Sequence, residues 1–400
     1  MKYRKEFDKV IDRRNTGSLK YDTHDMFKVP HDILPLWVAD MDFKAPDFVQ
    51  DKLKEAAEFG IFGYSITTEE YFEAVRGWFE RRFGWQVERK WLVQTPGVVF
   101  ALATAVKAYT EPGDGVVIQP PVYYPFSNVI RRNDRVIVEN TLIYEAGRYT
   151  MDFEDLEAKL SDERNKLMIL CSPHNPVGRV WTKEEVTKVA ELCLAKGVKL
   201  VSDEIHCDFV FGENRQTPVG TLSEEIRNNT VICTAPSKTF NMAGLQISNI
   251  FIQDAGMRTA FKRELNRIGF GWANLLGMTA CKAAYEDGDE WVDDLVWYIG
   301  ENIRYIEDFV SENMPEIKVI DTQGTYLVWI DLHGLGLTRE EQEDFIVNKA
   351  KLWLDTGTMF GEAGEGFERL NAACPRATLE EGMNRLKAAY DQLKESRNKE

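Results

Sequence analysis

Between residues 97 and 235 the chain alternates between helical and strand-like patterns, and that alternation limits the folds open to it. A helical stretch over 98–109 is followed by the turn EPGDG, then by a strand over 116–119. Next come a strand over 167–171, an amphipathic helix over 182–196, and strands over 198–204 and 231–235. Thr182 with Glu185 three residues later forms a capping-box pattern, and Gly197 stops that helix. The strands are mostly apolar, which suits strands with both faces buried. Buried strands separated by helices give βαβ units and a mostly parallel sheet in an α/β domain with helices on either side. In such sheets ligands collect beyond the carboxyl ends of the strands.

The flanks read differently. Residues 1–50 are rich in turns, and their apolar centre, ILPLWVADMDF, reads as an arm packing on another surface, with a partner subunit as one option. Helical periodicity covers 47–59 and 68–83. A long helical region spans 258–313 and ends before Pro315. A strand over 324–332, a helix over 338–350, a strand over 367–372 and a closing helix over 377–394 make a small α+β unit. The expected division is an N-terminal arm with part of the small domain (1–50), a large domain (51–290) and a C-terminal small domain (291–400).

Composition narrows the function. The 400 residues carry a net charge of −16 with no dense basic run, which argues against nucleic acid as a partner. No apolar run reaches membrane-span length, and the charged N-terminus lacks the core of a signal peptide. Six cysteines at 171, 193, 207, 233, 281 and 374 form no C-x-x-C pair. They read as reduced thiols of a cytoplasmic protein, and the five histidines show no metal-ligand spacing.

The chemistry gathers at strand ends. Lys238, in APSKTFNMAGLQ, follows the apolar run 231–235. A lysine amine in a partly apolar site has a lowered pKa and attacks carbonyls. Read alone it is a surface lysine on a loop. Asp203 at the end of another strand, Asn175 in a Pro-rich turn and Gly97 before a helix change that reading. Together they offer what pyridoxal 5'-phosphate requires: an amine, an acid for the ring nitrogen and donors for the phosphate.

The chain at this point resembles the fold-type I pyridoxal-phosphate enzymes. Within them it is most similar to the class I/II aminotransferase group and its MalY/PatB-type cystathionine β-lyases. The carriers are LPLWVADMDF (34–43), FGYS (62–65), PPVYYPF (120–126), CSPHNPVGRVW (171–181), VSDEIHCD (201–208), APSKTFNMAGLQ (235–246) and RLNAACPR (369–376), in the family's order. The resemblance implies a large cofactor-binding domain with a smaller α+β domain. It implies that Lys238 carries the cofactor as a Schiff base and moves the Cα proton, that Asp203 pairs with the ring nitrogen, and that Asn175 binds the phenolic oxygen, alongside any Asx turn before Pro176. Tyr123 stacks on the ring, with Tyr124 the alternative one residue on. Val98 and Val99 offer backbone N–H groups to the phosphate at a helix N-terminus, joined by Ser237. Tyr64 reaches the phosphate of the neighbouring subunit, implying a homodimer with shared active sites. Arg369 grips the carboxylate of a small amino-acid substrate, and Arg376 is structural.

Three positions depart from the aminotransferase pattern. Gln246 replaces a phosphate-binding arginine, Ala235 replaces a hydroxyl residue, and His206 stands where a tyrosine often contacts the phenolic oxygen. The lyase branch shares these changes. The implied function is β-elimination of cysteine S-conjugates, with L-cystathionine giving homocysteine, pyruvate and ammonia. An aminotransferase is the first alternative, and a cofactor-binding regulatory protein without catalytic role is the second.

Overall fold

The computed structural model describes residues 2–398. Seven strands form the main sheet: β1 (Leu92–Thr95), β2 (Gly115–Ile118), β3 (Val136–Glu139), β4 (Asn165–Cys171), β5 (Lys199–Asp203), β6 (Thr230–Thr234) and β7 (Ser248–Ile252). Their spatial order is β1-β7-β6-β5-β4-β2-β3. The five strands from β6 to β3 pair in parallel. Only β7 is reversed, antiparallel to both β6 and β1. The mostly parallel α/β sheet expected from the alternation is therefore present.

Alternate residues along each strand enter different cores. On β4, Leu167 and Ile169 face one cluster, while Met168 and Leu170 face the other. On β5, Leu200 and Val201 divide in the same way. This is the geometry of period two with both faces covered. Helices α3 (Val98–Tyr109) and α5 (Ala255–Arg267) close one face through Ala101, Leu102, Phe261 and Leu265. Helices α2 (Glu69–Phe83), α4 (Lys183–Ala195) and α6 (Leu275–Asp287) feed the other core with Val75, Trp78, Val186, Val189 and Cys281. Helix α1 (Asp47–Phe59) packs on α6. Thr182 and Glu185 form the expected capping box at the start of α4.

Three of the seven strands had no counterpart in the sequence reading. β3 is a short edge strand with no buried residue, so it lacks an apolar signature. β1 is four residues long, and β7 is reached from β6 through two short turns, Pro236–Thr239 and Ala243–Leu245, so no long helix sets it off as part of a βαβ unit. The helical region read over 258–313 is three helices, α5, α6 and α7 (Asp289–Asn313). It is broken at residues 269–274 and at Gly288. The helix read over 338–350 begins as an α-helix, Arg339–Glu343, and widens into a π turn over Asp344–Lys349.

A second, four-stranded sheet joins Lys318–Val319, Leu327–Asp331, Phe367–Asn371 and Asp355–Thr356 in that order. The last helix, α8 (Arg376–Arg397), packs on α7. Leu34–Pro35 pairs in parallel with Leu352–Trp353. The apolar segment that follows lies against its own chain, which corrects the partner-subunit option for it. Leu36, Met41 and Phe43 are buried in the larger core. Apolar residues enter that core from residue 7 to residue 390, so the chain ends and the middle share one interior.

Candidate active site

The register of the parallel strands sets out one row of residues at their carboxyl ends. Cys171 of β4 pairs with Asp203 of β5, which pairs with Cys233 of β6. Just beyond this row, β4 leads to Asn175, and β6 leads to the short helical turn Pro236–Thr239 that carries Lys238. The lysine therefore sits in a helical turn, where the sequence suggested a plain loop end. β1 leads through Gly97 into α3.

Lys238 Nζ donates to the carbonyl oxygen of Ala39 at 2.7 Å. Burial pulls its pKa down to about 8, and the Arg369 cation adds to this, while Asp40 and Asp203 oppose it. Asp203 is buried and accepts a hydrogen bond from the Ile205 N–H at 3.1 Å. Burial pushes its carboxyl up to about 7, against the pull of that N–H and of Lys238. Desolvation dominates both shifts, so a cationic ring nitrogen placed beside Asp203 would favour its charged form.

Arg369 lies on the small sheet and reaches the same spot. Its Nη1 donates to Asn175 Oδ1 at 3.0 Å, and its Nη2 donates to the Trp37 carbonyl at 3.0 Å. Nη2 also pairs with the carboxylate of Asp355. Nε is buried with no partner among the described residues. The backbone carbonyl of Asn175 accepts from the N–H of Tyr123 at 3.1 Å. Tyr123 and Tyr124 stand side by side, 5.5 Å between ring centroids. Burial raises the Tyr123 phenol above its ordinary range, so it stays protonated. His206 lies edge-on to Tyr326 at 5.5 Å. Burial, then Lys238 and Arg369, hold its pKa well below the usual imidazole value, so the ring is neutral.

The segment 37–43 crosses this cluster as a strap, a role that sequence reasoning missed. Its Ala39 carbonyl accepts from both Lys238 and the Tyr326 hydroxyl. Asn371 Nδ2 donates to the carbonyls of Val38 and Asp40, and Asn241 Nδ2 to those of Met41 and Phe43. Arg13 bridges Asp40 and Asp42, and the fully buried Lys20 pairs with Asp42 at 2.8 Å. The two acids in WVADMDF were the available signal. An acid inside an apolar run needs a cationic partner. Asp355, the other missed residue, lies in LWLDTGTMF and gives no comparable signal.

The start of α3 suits an anion. Gly97 caps it without a side chain, no acidic residue lies in its first turn, and a Cβ on Gly97 would meet nothing within 4 Å. The first N–H groups there, from Val98 and Val99, have no intrahelical acceptor. The Ser237 hydroxyl has no protein partner among the described residues. These open donors, the unpartnered Nδ1 of His206 and the buried acid Asp203 fit an anionic, nitrogen-containing group such as pyridoxal phosphate. Gln246 takes a left-handed turn (φ 49°), and its carbonyl, with that of Leu245, accepts from Asn274.

Tyr64 joins none of these contacts. It is 95% exposed, in the segment between α1 and α2 that also exposes Ile61, Phe62 and Ile66. Tyr64 and residues 269–276, Trp272 among them, line a surface cleft of about 560 Å³. That cleft borders the anion cradle, because Phe270 contacts Phe100 in the first turn of α3 at 5.5 Å.

A half-buried lysine, a buried acid and a buried arginine converge at the carboxyl edge of a mostly parallel sheet. The matching family model is Aminotransferase class I and II, over residues 32–386, and the chain belongs to this family. Among curated relatives, the chain is 47% identical over 384 residues to cystathionine β-lyase PatB of Bacillus subtilis, covering 96% of this chain and 99% of that one. It is 34% identical to the protein MalY of Escherichia coli, covering 94% and 97%. Among solved structures, cystalysin from Treponema denticola, which contains a pyridoxal 5'-phosphate cofactor, matches with a TM-score of 0.93 at 40% identity, covering 97% and 99%. The pyridoxal-phosphate-bound C-S lyase from Staphylococcus hominis matches at 0.88 and 32%, covering 96% and 97%.

Proposed function

We propose that this chain is a pyridoxal-phosphate-dependent carbon–sulfur lyase that cleaves cysteine S-conjugates by β-elimination, with L-cystathionine as the substrate. The observation that carries the reading is the meeting of Lys238, Asp203, Asn175 and Arg369 at one strand edge. The likeness to the named lyases supports it. When bound, pyridoxal phosphate supplies a carbonyl that takes the substrate amine and a ring that stores the electron pair left at Cα.

Each side chain has a task in this reading. Lys238 would hold the cofactor through its amine and, as a free amine, would take the Cα proton. Its lowered pKa keeps a useful fraction of free amine near neutral pH. Asp203 holds the ring nitrogen protonated. Asn175 and the neutral His206 would bind the phenolic oxygen, and Tyr123 would stack on the ring. Val98, Val99 and Ser237 hold the phosphate. Arg369 fixes the substrate carboxylate, which sets the Cα–H bond toward Lys238. The thiolate leaves from Cβ. With water the balance is L-cystathionine to homocysteine, pyruvate and ammonia.

The exposed apolar segment around Tyr64 supports a homodimer in which Tyr64 completes the partner's phosphate site. A contiguous exposed apolar patch beside the anion cradle is what such an interface requires. We also assign residues 1–50 to an arm with part of the small domain, 51–290 to the large domain and 291–400 to the small domain, supported by the pairing of residues 34–35 with 352–353. Six buried free cysteines suit the reducing cytoplasm, and no described helix is long and apolar enough to cross a membrane.

The test is product analysis. Pyruvate, ammonia and homocysteine should appear in equal amounts from L-cystathionine without any added keto acid. Amino transfer to 2-oxoglutarate, with no pyruvate from any thioether amino acid, would mean an aminotransferase. Cofactor binding without turnover of either kind would mean a regulatory protein.

A further inference from the structure

Arg369 is already engaged before any substrate arrives. A guanidinium offers two forks to a carboxylate, Nε with Nη2 and Nη1 with Nη2, so every fork needs a proton of Nη2. Both Nη2 protons are taken here, one by the Trp37 carbonyl at 3.0 Å and one by the carboxylate of Asp355. The free donors are the unpartnered Nε and the second proton of Nη1, whose first goes to Asn175. Each of these is only half of a fork.

Of the two occupants, the Trp37 carbonyl is fixed. The backbone on either side is held by Leu36 N–H to the Trp353 carbonyl, Asn371 N–H to the Leu36 carbonyl and Asn371 Nδ2 to the Val38 carbonyl, all between 2.7 and 2.9 Å. Asp355 holds Arg369 through a side chain with rotatable bonds. It is the direct cross-strand neighbour of Arg369, both side chains are almost fully buried, and the guanidinium is also covered by the Phe360 ring at 4.8 Å. A second carboxylate entering this spot meets both the attraction of Arg369 and the repulsion of Asp355.

We propose that Asp355 is a specificity-determining residue, an internal carboxylate that occupies Arg369 in the substrate-free site and competes with the substrate carboxylate for its Nη2 proton. This rests on the reading of Arg369 as the carboxylate-binding group. Asp355 neutralises a buried cation while the site waits, which avoids leaving an unpaired charge. The same contact weakens substrate capture and so raises KM, with no part in the proton transfer at Cα. A residue that only oriented Arg369 would have the opposite effect, because its loss would weaken carboxylate binding.

The experiment is a calorimetric titration of the cofactor-loaded protein with propionate, with propylamine as the control lacking a carboxylate. Asp355→Asn keeps the shape, and Asp355→Ser removes the competing group. Both should bind propionate with a Kd roughly tenfold lower than the parent, since a charge-assisted hydrogen bond no longer has to be displaced. Propylamine binding should not change, and KM for the amino-acid substrate should fall with kcat within about twofold. A propionate Kd that is unchanged or higher in either folded variant would overturn the proposal. Propionate binding needs no turnover, so a parent protein that released no pyruvate would end the lyase reading while leaving this result readable.

Discussion

Lys238 and Asp203 show how burial tunes two groups in opposite directions. The lysine is pulled down to about 8 and the acid is pushed up to about 7, each mainly by loss of water. A lysine attacks a carbonyl only as the free amine. The rate at which the cofactor-free protein captures pyridoxal phosphate should therefore rise as pH increases through about 8, well below the ordinary lysine range. Stopped-flow absorbance against pH measures this, and a midpoint near 10 would contradict the burial argument. In the proposed function, Asp203→Asn preserves shape but removes the charge assigned to keeping the ring nitrogen protonated. Turnover should fall about 100-fold or more, with cofactor still bound, because an electrostatic contribution of several kcal/mol is lost. Both residues stand out in the sequence by position, Asp203 at the end of a strand-like run and Lys238 just past another. Asp355 does not, because its meaning comes only from the cross-strand position of Arg369.

At the scale of elements, the start of α4 does two jobs. Thr182 and Glu185 cap the helix reciprocally, and Glu185 also accepts from the buried Arg179 at 2.9 and 3.1 Å. Arg179 donates onward to the Tyr149 carbonyl. Thr182→Ala should lower stability by about 1 kcal/mol, the ordinary value of a lost cap. Glu185→Ala should cost about 3 kcal/mol or more, because it strands a buried guanidinium as well as opening the cap. Urea denaturation of the two variants compares them, and equal losses would show that the Arg179 contact contributes little. The capping box was visible in the sequence from its spacing alone. The Arg179 pairing was not, because it depends on the turn after β4 folding back on α4.

Over the whole molecule, Tyr64 and its apolar neighbours Ile61, Phe62 and Ile66 stand out as exposed, with no cover among the described residues. In a dimer with shared sites, a Lys238→Ala protein and an inactive Tyr64→Ala protein each lack a different half of every site. Mixing them should restore activity toward one quarter of the parent level, since about half of the dimers are hybrids and each hybrid holds one intact site. Mass analysis verifies the exchange, and verified hybrids with no activity would place Tyr64 outside the partner's site. The sequence by itself determined the parallel sheet, the main helices and the chemical identity of the strand-end residues. Apolar period, capping spacing and turn residues act over a few positions and are written locally. Only the tertiary structure decided that residues 37–43 strap the Lys238 cluster of their own chain, that β7 reverses the sheet direction beside β6, and that Asp355 holds Arg369. Those contacts join positions tens to hundreds of residues apart or across a strand ladder. Their energy comes from burial and charge pairing, which no local pattern records.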